Sequence, residues 1–281
     1  MASEERAVSP DEAFRLLGDE TRVAILRAVW EAPVDGLSFS EIRNRIGTPD
    51  SGQFNYHLGK LKGHFLTSDD GGYRLTQAGR ELIRAVLAGT ITDRPEAVPT
   101  PIGGACVDCG GELIARYDEY GIIECEDCER VVMWNEFPPA GLAGRTAEEF
   151  ATAFDRWTVS RFRLATEGIC PNCASEMTLT SPNTEEETDF ASHHRCTNCK
   201  YEARVPLFGH VVFHPAVISF YYEHGIDVTE LPYWRLKELA QAGSERVVSD
   251  QPWIFEVVVS HDRETITLRL DSNFEVVKIV S

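Results

Sequence analysis

An α+β fold built from several small units is what the sequence predicts, and three observations carry it. The chain has 281 residues, more than one average domain, so two or three compact units are expected. Capped amphipathic helices alternate with short strand-like runs along its length. All eight cysteines lie between positions 106 and 199, so one stretch differs in chemistry from what flanks it. Apolar residues make up 43% and charged residues 26%, a globular balance rather than a disordered or fibrous one. Apolar runs are only a few residues long, too short to span a membrane. The opening MASEERAVSP has no apolar core of the secretory kind, so a cytoplasmic protein is expected.

The first segment, residues 9–92, is rich in helix-start signals. Ser9-Pro10-Asp11-Glu12 places a capping hydroxyl three residues before a glutamate, with proline at the first helical position. That helix runs through Phe14, Leu16 and Leu17 and stops at Gly18. Asp19 caps the second, which carries Val23, Ile25, Leu26, Val29 and Trp30 broadly at helical spacing. Ser38 and Glu41 form a capping box for a short third helix ending at Gly47. Asp50 and Gln53 open a fourth, residues 51–64, with Phe54, Leu58 and Leu61 along one face. A β-hairpin follows, with strands at 65–68 and 73–75 and a turn at 69–72. Thr76 caps a closing helix over QAGRELIRAVLAG.

This order predicts a winged helix-turn-helix over residues 9–92. A short helix, a brief turn and a polar helix with a buried stripe form the helix-turn-helix, and the hairpin forms the wing. A small α+β domain with no DNA role is the competing reading. The segments DEAFRLLGDETRVAILRAVWE, SFSEIRNRIG, SGQFNYHLGKL and YRLTQAGRELI, in that order, resemble the ArsR-type winged-helix transcriptional regulators, particularly those of halophilic archaea. The resemblance is confined to this segment. It implies a dimeric, sequence-specific DNA-binding domain whose fourth helix enters the major groove. Metal-sensing members of that family carry cysteines in this domain; here there are none, so metal sensing by that route is not expected.

After a linker at 92–101 the cysteines begin. They form four identical pairs, Cys106-x-x-Cys109, Cys125-x-x-Cys128, Cys170-x-x-Cys173 and Cys196-x-x-Cys199. Fifteen residues separate the first two pairs and twenty-two the last two. Two such turns facing each other close a tetrahedral shell around zinc, at about 2.3 Å per sulfur. The first spacing falls within the usual window of roughly 15 to 20 residues, and the second slightly exceeds it. Disulfides compete, but a reduced chain repeating Cys-x-x-Cys four times is a poor disulfide framework. A thioredoxin-like redox motif would need a βαβ context that is absent. Two metal-bound quartets are therefore expected, with zinc preferred and iron left open. Four sulfurs leave no position for water, so the expected cofactor is two structural Zn2+ per chain. Ribbons this small lack a sufficient core, and metal binding supplies the missing folding free energy.

The predicted units after the linker are a first zinc-ribbon-like unit at 102–140 and a C-terminal domain at 146–281. The latter contains a helix from Thr146 to about Thr166, the second zinc ribbon at 168–206, two helices and a three-stranded antiparallel sheet. The helices are PAVISFYYEHG and LPYWRLKELAQAG; the strands are WIFEVVVS, ETITLRL and FEVVKIV. His193 and His194, beside Cys196, read as an exposed loop, and His210 and His214 as near-core groups. Phe220, Tyr221, Tyr222, Tyr233 and Trp234 could line a ligand pocket, although core is the simpler reading. Residues 184–189 are an acidic low-complexity stretch. No nucleophile elbow, glycine-rich phosphate loop or helical histidine pair is visible, so no enzyme is expected.

A net charge of −18 argues at first against nucleic acid, because phosphate contacts need lysine and arginine. Only five of the 27 basic residues are lysine, and an acid-rich, lysine-poor chain resembles proteins of salt-loving archaea. Its distribution then matters: residues 10–92 carry ten basic and eleven acidic groups, so nearly all the excess lies elsewhere. Residues 51–64 hold two lysines, two histidines and no acid. Gln53 and Asn55 suit adenine edges, while Ser51, Tyr56 and Lys60 can reach phosphates or bases. Lys62 and Arg74 are candidate phosphate contacts, and Arg43 and Arg45 could touch the backbone that their helix crosses. Leu82, Ile83, Val86 and Leu87, with Phe14 and Leu17, could form a self-association surface, and a homodimer is expected. The expected function is a transcriptional regulator of double-stranded DNA whose C-terminal half senses a small-molecule ligand or binds a protein effector. The alternative makes the ribbons the working part of an adaptor in a transcription or RNA-processing complex.

Overall fold

Side-chain caps decide where the helices of this chain begin. A computed structural model describes residues 8–32, 36–69, 71–180 and 190–280; Asp70 of the expected hairpin turn and the acidic stretch 184–189 lie outside them. The chain divides into two units, one reaching to Arg94 with Pro138–Ala140, the other comprising Pro95–Phe137 and the chain from Gly141 onward.

The first unit holds α1 (Pro10–Leu17), α2 (Glu20–Trp30), α3 (Phe39–Ile46), α4 (Ser51–Leu61), β1 (Leu66–Asp69), β2 (Gly72–Leu75) and α5 (Gln77–Leu87). Ser9, Asp19, Ser38, Asp50 and Thr76 each accept a hydrogen bond from a first-turn N–H that the helix itself cannot satisfy. The fourth helix stops at Leu61, three residues earlier than the sequence suggests. Lys62 takes an extended backbone, Gly63 turns at φ +83, and the Gly63 N–H donates to the Leu66 carbonyl at 2.8 Å. Ile25, Leu26, Ile42, Phe54, Leu58, Leu61, Leu66 and Ile83 form the core. The hairpin is tied down by reciprocal backbone bonds between Leu37 and Tyr73, at 3.2 and 2.7 Å. Gly72 is required there: its φ is +112, and a Cβ would lie 2.6 Å from the Leu37 carbonyl oxygen.

The second unit opens with a four-stranded antiparallel sheet of β3 (Glu96–Ala105), β4 (Glu112–Asp118), β5 (Tyr120–Cys125) and β6 (Val131–Glu136). A 20-residue helix, α6 (Ala147–Thr166), follows from a capping box of Thr146 and Glu149. Next comes a three-stranded sheet of β7 (Met177–Thr180), β8 (Ala191–Cys196) and β9 (Glu202–Pro206). Then come α7 (Leu207–Val211), α8 (Pro215–Glu223) and α9 (Tyr233–Gln241), and a last sheet of β10 (Ser244–Asp250), β11 (Trp253–His261), β12 (Glu264–Leu270) and β13 (Val276–Val280).

Two expectations are corrected here. Part of the presumed linker is β3: Pro99 and Pro101 are tolerated because β3 is an edge strand whose register slips around them. The C-terminal sheet has four strands, not three. Its added edge, SERVVSD, alternates exposed and half-buried positions with too few apolar residues to announce itself.

Phe255, Val257 and Val259 of β11 and Leu268 and Leu270 of β12 pack with Leu207, Val211, Val217, Tyr221 and Leu236 of the three preceding helices. Under the first sheet, Phe150 and Phe154 of α6 meet Phe137 edge-on, with ring centres 5.6 and 5.7 Å apart. Gly121 permits this approach, since a Cβ there would sit 2.5 Å from the Phe154 ring. Among the described residues, no helix is long and apolar enough to cross a membrane.

Glu256 points to the other face of β11 and is only 4% exposed, with Arg246 donating at 2.7 Å and Arg269 at 2.9 Å. Those two guanidiniums hold its carboxyl below the usual glutamate range despite burial. A depressed native pKa adds stability above the unfolded value, about 4.3, that is lost as pH falls through the native one. Thermal melts should therefore show Glu256→Gln destabilised at neutral pH, and converging on the unmodified protein below about pH 4. Parallel acid limbs for the two proteins would refute the assignment.

Candidate functional site

Each of the four cysteine pairs sits in the same backbone turn. The N–H of every leading cysteine donates to the carbonyl five residues on: Cys106 to Gly111 (2.7 Å), Cys125 to Arg130 (3.0 Å), Cys170 to Ser175 (2.9 Å) and Cys196 to Tyr201 (2.8 Å). The residue after each second cysteine has positive φ, namely Gly110 (77°), Glu129 (58°), Ala174 (57°) and Lys200 (65°). Three of those four positions tolerate a strained left-handed backbone without glycine. In every pair the leading cysteine is buried and the second exposed.

The turns face each other two by two. Cys106, Cys109, Cys125 and Cys128 form one quartet and Cys170, Cys173, Cys196 and Cys199 the other, with all sulfurs of a quartet within 4.8 Å of one another. The closest sulfurs stand 3.7 Å apart for Cys106–Cys128, 3.4 Å for Cys109–Cys125, 3.5 Å for Cys170–Cys199 and 3.6 Å for Cys173–Cys196. A disulfide requires about 2.05 Å. Sulfurs at 2.3 Å around one tetrahedral ion would lie about 3.8 Å apart, close to what is seen. Each quartet can therefore hold one metal ion, two per chain.

Electrostatics point the same way. The hydroxyl and N–H of Ser175 hold the Cys173 thiol down to about 5. The Tyr201 N–H favours the Cys199 thiolate, but burial and the neighbouring cysteines outweigh it and push that thiol up to about 12. In the first quartet, the Cys128 N–H draws Cys125 down to about 7. There the Gly111 N–H fails to offset Cys125 and Cys128, and Cys109 rises to about 12. Four thiolates this close repel one another, and a divalent cation is the group that lets all four deprotonate.

A link between the two centres was not visible in the sequence. Arg161 of α6, 7% exposed, donates to Glu136 of β6 at 3.2 Å and also to the side-chain carbonyl of Asn172, inside the Cys170–Cys173 turn. Asn172 in turn donates to Glu136 at 3.3 Å. The guanidinium lies over Trp157 and Tyr201, 5.4 and 4.7 Å from the ring centres.

The residues singled out for DNA are placed as follows. Ser51, Gln53, Asn55, Tyr56 and Lys60 are all exposed on α4, while Phe54, His57, Leu58 and Leu61 are buried. Lys60 lies over the Tyr56 ring at 5.5 Å and Lys62 over Tyr73 at 5.6 Å. Arg45 donates to the Ala28 carbonyl at 3.4 Å, Arg43 is half-buried, and Arg74 pairs with Asp69 across the hairpin.

Other expectations are changed. His193 and His194 lie in β8 rather than in a loop, and His194 is buried. Its Nε2 is 2.8 Å from the Ser192 hydroxyl, which also meets His210 Nε2 at 2.6 Å. Burial lowers both imidazoles, His210 to about 4, so they are neutral core groups. Of the aromatic set, Tyr221 and Trp234 are core and Tyr222 is exposed. Ile83 is fully buried in the first unit's core and is unavailable to a second copy.

An α+β chain with two four-cysteine clusters, each able to hold a metal ion, is the class these features define. Residues 103–276, more than half of the chain, match the family model described as Domain of unknown function (DUF7351), and the chain belongs to that family. Residues 10–86 match a second model, Domain of unknown function (DUF7347). Nothing among the curated proteins or the solved structures matches the chain.

Metal analysis of protein prepared under reducing conditions should find two ions per chain. Cys106→Ser and Cys170→Ser should each remove one ion and lower Tm by on the order of 10 °C, since a unit of this size shifts by about 2–4 °C per kcal/mol lost. A full Tm with no bound metal would end the interpretation.

Proposed function

We propose that this chain is a DNA-binding transcriptional regulator whose first unit is a winged helix-turn-helix of the ArsR type. The observation that carries the reading is α4. Ser51, Gln53, Asn55, Tyr56 and Lys60 share its exposed side with no carboxylate among them, on a chain of net charge −18. Helix α3 precedes it across four residues, and the hairpin β1–β2 follows it as a wing would. Gln53 and Asn55 carry the paired donors and acceptors that read adenine edges, and Lys60 and Lys62 supply phosphate contacts. Arg45 and Arg74, engaged with Ala28 and Asp69, contribute less to phosphate binding than their charge suggests. The ribbons hold zinc in a structural role, because four sulfurs complete its shell. The acidic surface is an adaptation to concentrated salt, and the second unit receives an effector.

The regulator acts as a homodimer on paired half-sites. Phe14 on α1 is 74% exposed, and Leu87 and Ile91 at the end of the first unit are 48% and 70% exposed, an apolar surface that a second copy would cover.

Asn55→Ala should cost about 1–3 kcal/mol at its target and relax sequence preference, whereas Lys60→Ala should weaken binding to all sequences alike. Genome-wide occupancy in cells reads both, and a map unchanged by either substitution would remove α4 from the interface. Replacing Phe14 and Leu87 together by Glu should convert the dimer to monomer in analytical ultracentrifugation. An unaltered sedimentation coefficient would place the dimer surface elsewhere.

A further inference from the structure

Where the core beneath the last sheet reaches its rim, three buried rows end in polar side chains. On β11, Phe255, Val257 and Val259 alternate into the core, and the next position on that face is His261. On β12, Leu270, Leu268 and Ile266 do the same, and their row ends at Glu264. On α8, Val217 and Tyr221 are buried, and the next turn of that face brings His224, the residue that closes the helix. Two imidazoles and a carboxylate thus share one edge of the core.

Backbone pairing sets two of them side by side. His261 and Glu264 are direct cross-strand partners, joined by a two-residue turn in which Asp262 and Arg263 both have positive φ, 45° and 73°. The Cβ atoms of such partners lie about 5 Å apart on one face. His224 packs against this pair. Its ring centre is 5.1 Å from that of His261, and its Nε2 is 3.7 Å from the Glu264 carboxylate. That gap is long for a hydrogen bond. Nitrogen and oxygen held at about 2.1 Å by one tetrahedral ion would lie about 3.4 Å apart, nearer to what is seen. The Asp262 carboxylate stands a further 3.6 Å from His261 Nε2.

The orientation of His224 is fixed from behind. Its Nδ1 lies 2.8 Å from the Phe220 carbonyl, which can only accept, so Nδ1 carries the proton. The neutral ring then has its lone pair on Nε2, the atom nearest Glu264. A backbone carbonyl on the second nitrogen is the support that metal-bound histidines commonly have. Among the described residues, only the cysteine quartets already gather three donor atoms within 4.8 Å of one another. At the rim His224 and Glu264 meet that spacing, and the side chains of His261 and Glu264, 27% and 74% exposed, have room to turn.

We propose that His224, His261 and Glu264 form a third metal site, for a divalent transition-metal ion of the zinc class, completed by a turn of the His261 ring. Two imidazoles and one carboxylate suit zinc and its neighbours rather than calcium or magnesium. Asp262 offers a further oxygen, and Arg263 is the one cation in the turn between them. Three protein ligands at the surface leave a position to water, so occupancy follows the free metal concentration. The site is separate from the cysteine quartets and from any DNA contact, and its test depends on neither.

Zinc is the probe. Equilibrium dialysis of the full chain should find one ion bound above those kept after dialysis into metal-free buffer. Ring resonances of His224 and His261 should shift together as that ion enters. His224→Gln, His261→Gln and Glu264→Gln should each weaken it by about tenfold or more, since loss of an outer-shell partner alone commonly costs that much. The ions kept in metal-free buffer should be unchanged in all three variants. Absence of a further ion in the unmodified chain, up to the solubility limit of zinc, would overturn the proposal without any variant. So would a further ion that shifts neither histidine ring, or one whose affinity Glu264→Gln leaves unchanged at its exposed position.

Discussion

Crowding four sulfurs into one small volume is the constraint on which most of this molecule depends. Sulfurs 3.4–3.7 Å apart carry too much negative charge to deprotonate together unaided. The turns solve the backbone part of the problem, with one repeated hydrogen-bond pattern and one left-handed residue each. Both sheets then start from those turns: Cys125 ends β5 and Cys196 ends β8. Helix α6 needs both, because its aromatic face meets the first sheet and its arginine reaches the second centre.

Charge is the second organising theme. An isolated reading of −18 describes a molecule that should repel phosphate. Local counts describe something else, since α4 has no carboxylate on its exposed side. At an ionic strength of about 1 M the Debye length falls to about 3 Å, so only groups near contact matter. Local composition then governs recognition far more than net charge.

Legibility in the sequence followed the range of the chemistry involved. Caps at Ser9, Asp19, Ser38, Asp50, Thr76 and Thr146 are decided within four residues, and each starts a helix where expected. The quartets were equally open, because a fixed spacing of thiols has few other uses in a reduced chain. Edge strands were not: β3 contains two prolines and β10 is mostly polar, and both are identified by the neighbour they pair with. Helix α4 ends short of His64 because Gly63 breaks it, although His64 follows the helical pattern. His194 is joined through the Ser192 hydroxyl to His210, a partner eighteen residues beyond Ser192 that no short window of sequence contains.

Arg161 has a consequence for how the two metal centres behave together. Its guanidinium is buried, its Nε has no partner among the described residues, and its remaining bonds run to Glu136 and to Asn172. Asn172 holds its position only while the turn around it is closed. With an ion in each quartet, opening the second turn would remove Asn172 from both Arg161 and Glu136, leaving that ion pair to itself and loosening the sheet from which the first quartet is built. The two ions would then leave nearly together. With both quartets loaded, such coupling would make metal loss a threshold event rather than a graded decline.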